Sequence, residues 1–137
     1  MIIFASSTDS LEYYPDNAND DFRLRLSEPL QLQGEWVVSL VEIYLPRLEH
    51  RLQVNLIDVC SPLCRDVTMG EGKEPVLRRV DAWQEDDAML RFERALYVPV
   101  AHRTVSDIHI YLRDVNGGRV PFVKTPTYCT LDLTRIG

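Results

Sequence analysis

From Leu90 to Leu133 the chain alternates apolar and polar residues in short runs. Ile108, Ile110 and Leu112 are interleaved with Asp107, His109, Tyr111 and Arg113, and Leu90, Phe92 and Leu96 with Arg91 and Glu93. A period of two gives an extended segment one buried face and one wet face. Asn116-Gly117-Gly118 supplies turn chemistry, followed by a short strand through Pro121-Phe122-Val123 and a last strand over 128–133. Such strands in series predict an antiparallel β-sandwich or barrel.

The first half reads the same way. Residues 2–6 form a first apolar strand. Residues 8–21 are turn-rich, with Pro15-Asp16-Asn17 at their centre, because Pro fixes φ and Asp and Asn side chains bond nearby backbone. Phe22, Leu24 and Leu26 alternate with Arg23, Arg25 and Ser27, until Glu28-Pro29 interrupts, since Pro cannot donate to a ladder. Residues 36–45 are the most hydrophobic run. Val37, Val41, Ile43 and Leu45 fall on one face and Trp36, Val38, Leu40 and Tyr44 on the other, which predicts a central strand covered on both sides. Glu42 within it reads as a partly exposed or paired carboxylate. Residues 54–60 and 76–83 are further strands, 61–75 a loop, and Gln84-Glu85-Asp86-Asp87 an acidic turn. The count is about eight or nine strands, with no amphipathic helix and no internal repeat.

At 137 residues and 45% hydrophobic, residues 1–137 make a single domain able to bury a core without staples. The net charge of −6 argues against general nucleic-acid binding. No run approaches the length of a membrane span, and the start lacks a basic flank and a secretory h-region, so an intracellular origin is expected. Cys60, Cys64 and Cys129 suit neither a disulfide framework nor a zinc site and read as reduced, partly buried thiols.

Motifs for phosphate loops, nucleophile elbows and zinc proteases are absent, so neither an enzyme nor a cofactor is expected. Asp16-Asn17-Ala18-Asn19-Asp20-Asp21 invites a calcium reading, but Ala18 breaks the alternation and no Glu closes the loop; a solvated turn is the expectation. Trp36 and Phe122 are expected in the core. Tyr13 and Tyr14 suit either a contact patch or packing over their turn. His109 and Tyr111 fall on the wet face of their strand, exposed in a monomer and available to a neighbour in an assembly.

Two blocks together carry a resemblance. The first is Tyr14-Pro15-Asp16-Asn17, then Phe22, Leu24, Leu26, Pro29-Leu30 and Gly34-Glu35-Trp36-Val37-Val38-Ser39-Leu40-Val41-Glu42-Ile43-Tyr44-Leu45-Pro46. The second is Tyr97-Val98-Pro99-Val100, Ile108-His109-Ile110-Tyr111-Leu112, Gly118, Val120-Pro121-Phe122 and Thr130-Leu131-Asp132-Leu133. The chain thereby resembles virion proteins of Polinton (Maverick) elements and adinto-like viruses, which carry jelly-roll capsid proteins. Members have a longer middle; here residues 47–95 are compact, leaving room for one jelly roll. The resemblance therefore implies an all-β, single jelly-roll-like sandwich of about eight strands acting as a minor capsid (penton-like) subunit. It implies self-association, with a pentamer as one form, contact with a major capsid protein, and a place in the virion. Candidate assembly contacts are Tyr13, Tyr14, Asp16, Asn17, His109 and Tyr111, with the 61–72 loop and the 84–87 turn as further contact elements. The alternative is an intracellular β-sandwich module that binds a protein or ligand without catalysis.

Overall fold

The computed structural model describes residues 1–82 and 86–137, and the described residues form strands and turns without a helix. The strands are β1 (Ile2–Ser6), β2 (Asp21–Gln31), β3 (Trp36–Leu45), β4 (Leu56–Cys60), β5 (Val67–Met69), β6 (Gly72–Glu74), β7 (Val76–Asp81), β8 (Ala88–Arg91), β9 (Tyr97–Pro99), β10 (Thr104–Asp114) and β11 (Tyr128–Arg135). The end of the expected 76–83 strand and half of the acidic 84–87 turn lie outside the described residues.

The antiparallel pairings are nested. β1 pairs with β11, β2 with β10, β3 with β8 and β9, and β4 with β7. Two further pairings, β11 with β3 and β10 with β4, roll this long ribbon into two sheets. One has the order β1-β11-β3-β8, with β9 also on β3; the other has the order β2-β10-β4-β7. Successive strands β1 to β4 therefore alternate between sheets, the jelly-roll arrangement of an open sandwich rather than a closed barrel. The small β5–β6 hairpin stands apart, inside the stretch expected as plain loop.

The inner faces meet through Phe22, Val38, Leu40, Ile43, Leu45, Ile57, Val59, Leu77, Ile108, Ile110, Leu112, Leu131 and Leu133, all essentially inaccessible. Phe122 is buried as expected, but by an isolated bridge to Leu48 and not within a strand. Pro121 leaves that segment one donor short of a ladder. Trp36 departs from expectation: it is only half-buried at one end of the sandwich, its indole N–H donating to the Gln33 carbonyl at 2.9 Å.

β3 explains why both its faces look apolar in sequence. Leu131 faces Leu40 and Thr130 faces Glu42, so Val41 is an extra residue with no partner on β11. This β-bulge switches the side-chain phase by one. Val38 and Leu40 before it, and Ile43 and Leu45 after it, all point inward, while Val41 is exposed. The bulge also splits the outgoing strand. β9 pairs with Val37, Val38 and Ser39 and β8 with residues 42–45, and the chain leaves the sheet between them, exposing Leu96. Deleting Val41 restores strict alternation of the four core residues. The variant is expected to stay folded, with a β-type circular dichroism spectrum and a cooperative melt. Loss of the cooperative melt would show that the bulge itself is required.

Candidate assembly surfaces

The tyrosine segment is folded onto the edge of the second sheet. The backbone N–H groups of Tyr13 and Tyr14 both donate to the Ser10 carbonyl, and that of Asn17 to the Tyr14 carbonyl. Asn17 grips β2 at two points: its Nδ2 donates to the Arg23 carbonyl and its Oδ1 accepts from the Arg23 N–H, both at 2.9 Å. Ser10 Oγ accepts from the Arg25 N–H at 3.0 Å. Side chains thus occupy the outward backbone groups of Arg23 and Arg25, which blunts the first half of this edge strand against pairing with another chain.

Above this edge Tyr13 is 54% exposed, with the Arg25 guanidinium 4.2 Å from its ring centre. Tyr14 is half-buried and Asp16 exposed. With Asp21, Arg23 and Arg119 they line a concavity of about 410 Å³. Asp21 links it to the other candidates: its carboxylate takes His109 Nε2 at 2.7 Å and Arg113 Nη2 at 2.8 Å. His109 in turn lies against Tyr111, their ring centres 5.1 Å apart. Tyr13, Tyr14, Asp16 and Asn17 therefore share one concavity, and His109 and Tyr111 adjoin it through Asp21.

His109 and Tyr111 are not the exposed pair expected of a wet strand face. Both are half-buried, His109 because Asp21 holds it. Burial, reinforced by the neighbouring Cys60 and Glu74, pushes the Tyr111 phenol up to about 12. Burial likewise pushes the thiols of Cys60 and Cys129 up to about 12 and that of Cys64 to about 11, so all three stay protonated.

The acidic run before β2 is not a solvated turn. Asp20 is buried and receives a bidentate fork from Arg119, Nε at 2.7 Å and Nη2 at 2.6 Å, plus the Val120 N–H at 3.2 Å. Asn19 Nδ2 donates to the carbonyls of Val123 and Thr125. These partners lie about a hundred positions away, so no local spacing signals them; the only hint is the arginines Arg113 and Arg119 flanking the Asn116 turn. That turn forms as expected, with Gly117 at φ +84° and Asp114 Oδ1 accepting from the N–H groups of Asn116 and Gly118.

Burial raises the Asp21 pKa, but hydrogen bonds from Arg113 and His109 outweigh it and hold the carboxyl below its ordinary 3.8. A depressed carboxyl stabilises the fold above its unfolded value, and that contribution fades as pH falls through the folded one. Asp21→Asn is therefore expected to be less stable than wild type at neutral pH, with the gap closing well below 3.8 in urea melts. A gap that is unchanged in acid would remove Asp21 from the acid response.

At the opposite end of the sandwich, Trp36, Pro99, Val100 and Ile136 line a cleft of about 370 Å³ together with Arg65, His102 and Arg103. A jelly-roll sandwich with clefts at both ends is the class these observations define. Comparison with models of known protein families gives no match, nor does comparison with curated proteins.

Proposed function

We propose that the chain is a structural shell subunit, a minor capsid (penton-like) protein of a Polinton-like or adinto-like DNA virus, working by contact and not by catalysis. The observation that carries this reading is the complete nested jelly-roll pairing within 137 residues, joined to the sequence blocks that resemble that virion family. A sandwich of this kind offers loops and edges for heterologous contacts, and such contacts give rings when the rotation closes. The concavity of Tyr13, Tyr14 and Asp16, bordered by the Asp20–Arg119 and Asp21–Arg113 pairs, is the surface we assign to that contact. Aromatic residues with an arginine nearby suit an interface centre.

The test is sedimentation velocity of the purified chain, alone and with the major capsid protein of the same element. A closed ring, abolished by Tyr13→Ala with Tyr14→Ala while the melt stays intact, is expected. A strict monomer that also fails to bind the major capsid protein would overturn the proposal. The binding-module reading is favoured by one observation, the Trp36 cleft with Arg65 and Arg103, which form no ion pair among the described residues.

A further inference from the structure

The two sheets treat their first strands differently. In the first half of β2 the outward N–H and C=O of Arg23 are taken by Asn17 and the N–H of Arg25 by Ser10. β1, the edge of the other sheet, is not covered in this way. Met1 exchanges bonds with Leu133 in both directions, and the Ser7 N–H donates to the Thr127 carbonyl. By antiparallel alternation residues 1, 3, 5 and 7 bond toward β11, and residues 2, 4 and 6 point their N–H and C=O groups away. Asp9 closes the far end, its Oδ2 accepting from the Ser6 N–H at 2.9 Å and its own N–H donating to the Ser6 carbonyl. Ile2 and Phe4 are left with outward backbone groups that have no partner among the described residues.

The side chains beside this opening are apolar. Phe4 is 73% exposed and Ile2 53%. Phe4, Met89, Tyr128 and Thr130 line a groove of about 410 Å³ on the outer face, which Asp9 and Glu42 also line. Glu42 is already engaged by Arg91 at 3.2 Å and by the Thr130 hydroxyl. The Asp9 carboxylate has no cationic partner among the described residues. An open, apolar edge is a template for an added strand.

We propose that β1 accepts an extended arm of a partner protein as an added strand, its alternate apolar side chains packing against the exposed Ile2 and Phe4 and a Lys or Arg meeting Asp9. Charge selects this occupant over a second copy. Another copy brings the same −6 and the same acid to a groove that holds an unpaired carboxylate, whereas a basic arm complements it. The inference goes beyond the shell reading, since the edge is open whichever assembly supplies the arm.

A fluorescein-labelled peptide alternating Val and Thr, with Lys at both ends, tests this by anisotropy. Wild type is expected to bind it. Phe4→Pro deletes an outward N–H and the phenyl while sparing the β11 ladder, and is expected to weaken binding by about tenfold or more at an unchanged melt. Phe4→Ala, which keeps the N–H, is expected to fall between the two and covers the case in which the proline variant fails to fold. Asp9→Asn keeps the acceptor for Ser6 but lowers affinity several-fold, while Glu28→Gln, an exposed position on the other sheet with the same change in net charge, does not. No binding by wild type, equal binding by the Phe4 variants, or a wild-type dimer that Phe4→Ala makes monomeric would overturn the proposal. Ring formation with the Phe4 variants is scored separately, so failure here leaves the shell reading standing.

Discussion

Replacing Phe22 by alanine is expected to destabilise the fold by about 3–5 kcal/mol in urea melts. Phe22 has no accessible surface and stands opposite Ile110 on β10. It lies on an edge strand, yet it is among the largest side chains in the space between the sheets. The ladder on its inner side holds β2 in place, so the cavity cannot collapse by moving the backbone. Part of the cost is the transfer of the phenyl from water and part is the void left behind. A loss under about 1 kcal/mol would mean that the two sheets re-close around the gap and that the core is not packed as described.

The second large effect is asymmetric. Arg119→Met is expected to cost about 2 kcal/mol or more, because it strands the Asp20 carboxylate, whose side chain is 6% exposed, with only the Val120 N–H for company. The figure sits below the usual cost of breaking a buried pair because Arg119 is itself 60% exposed, so water can reach part of the vacated site. Asp20→Val together with Arg119→Met is expected to cost less than Arg119→Met alone, since no unpaired charge then remains. The comparison is a double-mutant cycle read by denaturant melts. Additive losses would show that the fork contributes nothing beyond its separate groups.

These two residues also mark what can be read from the chain itself. Phe22 belongs to a strand whose alternation is local, and its burial follows from the pattern; so do β1, β10, β11 and the Asn116 turn. Asp20 was unreadable because its partner is Arg119, and only the rolled topology joins them. Residues 36–45 were legible as a strand but not as a bulged one. A single extra residue at Val41 makes inward positions look like two apolar faces, and periodicity cannot distinguish that from a strand buried on both sides. His109 and Tyr111 were placed on the correct face, but their degree of exposure was not legible, because Asp21, Cys60 and Glu74 reach them from other parts of the chain. The candidate contacts were legible as types of residue; that six residues from 13 to 21 would share a concavity with Arg119 was not.

The nested topology has a consequence for biosynthesis. One inner strand of each sheet, β10 and β11, is among the last of this domain to be made, and each fills the slot between partners synthesised long before it. On the ribosome, β1 and β2 must wait beside unsatisfied neighbours until residues 104–135 emerge, so neither layer can close during most of translation. Contacts this distant along the chain make for slow folding. A nascent chain stalled before residue 128 should therefore be protease-sensitive throughout, and release of the final strand should protect the whole domain in one step.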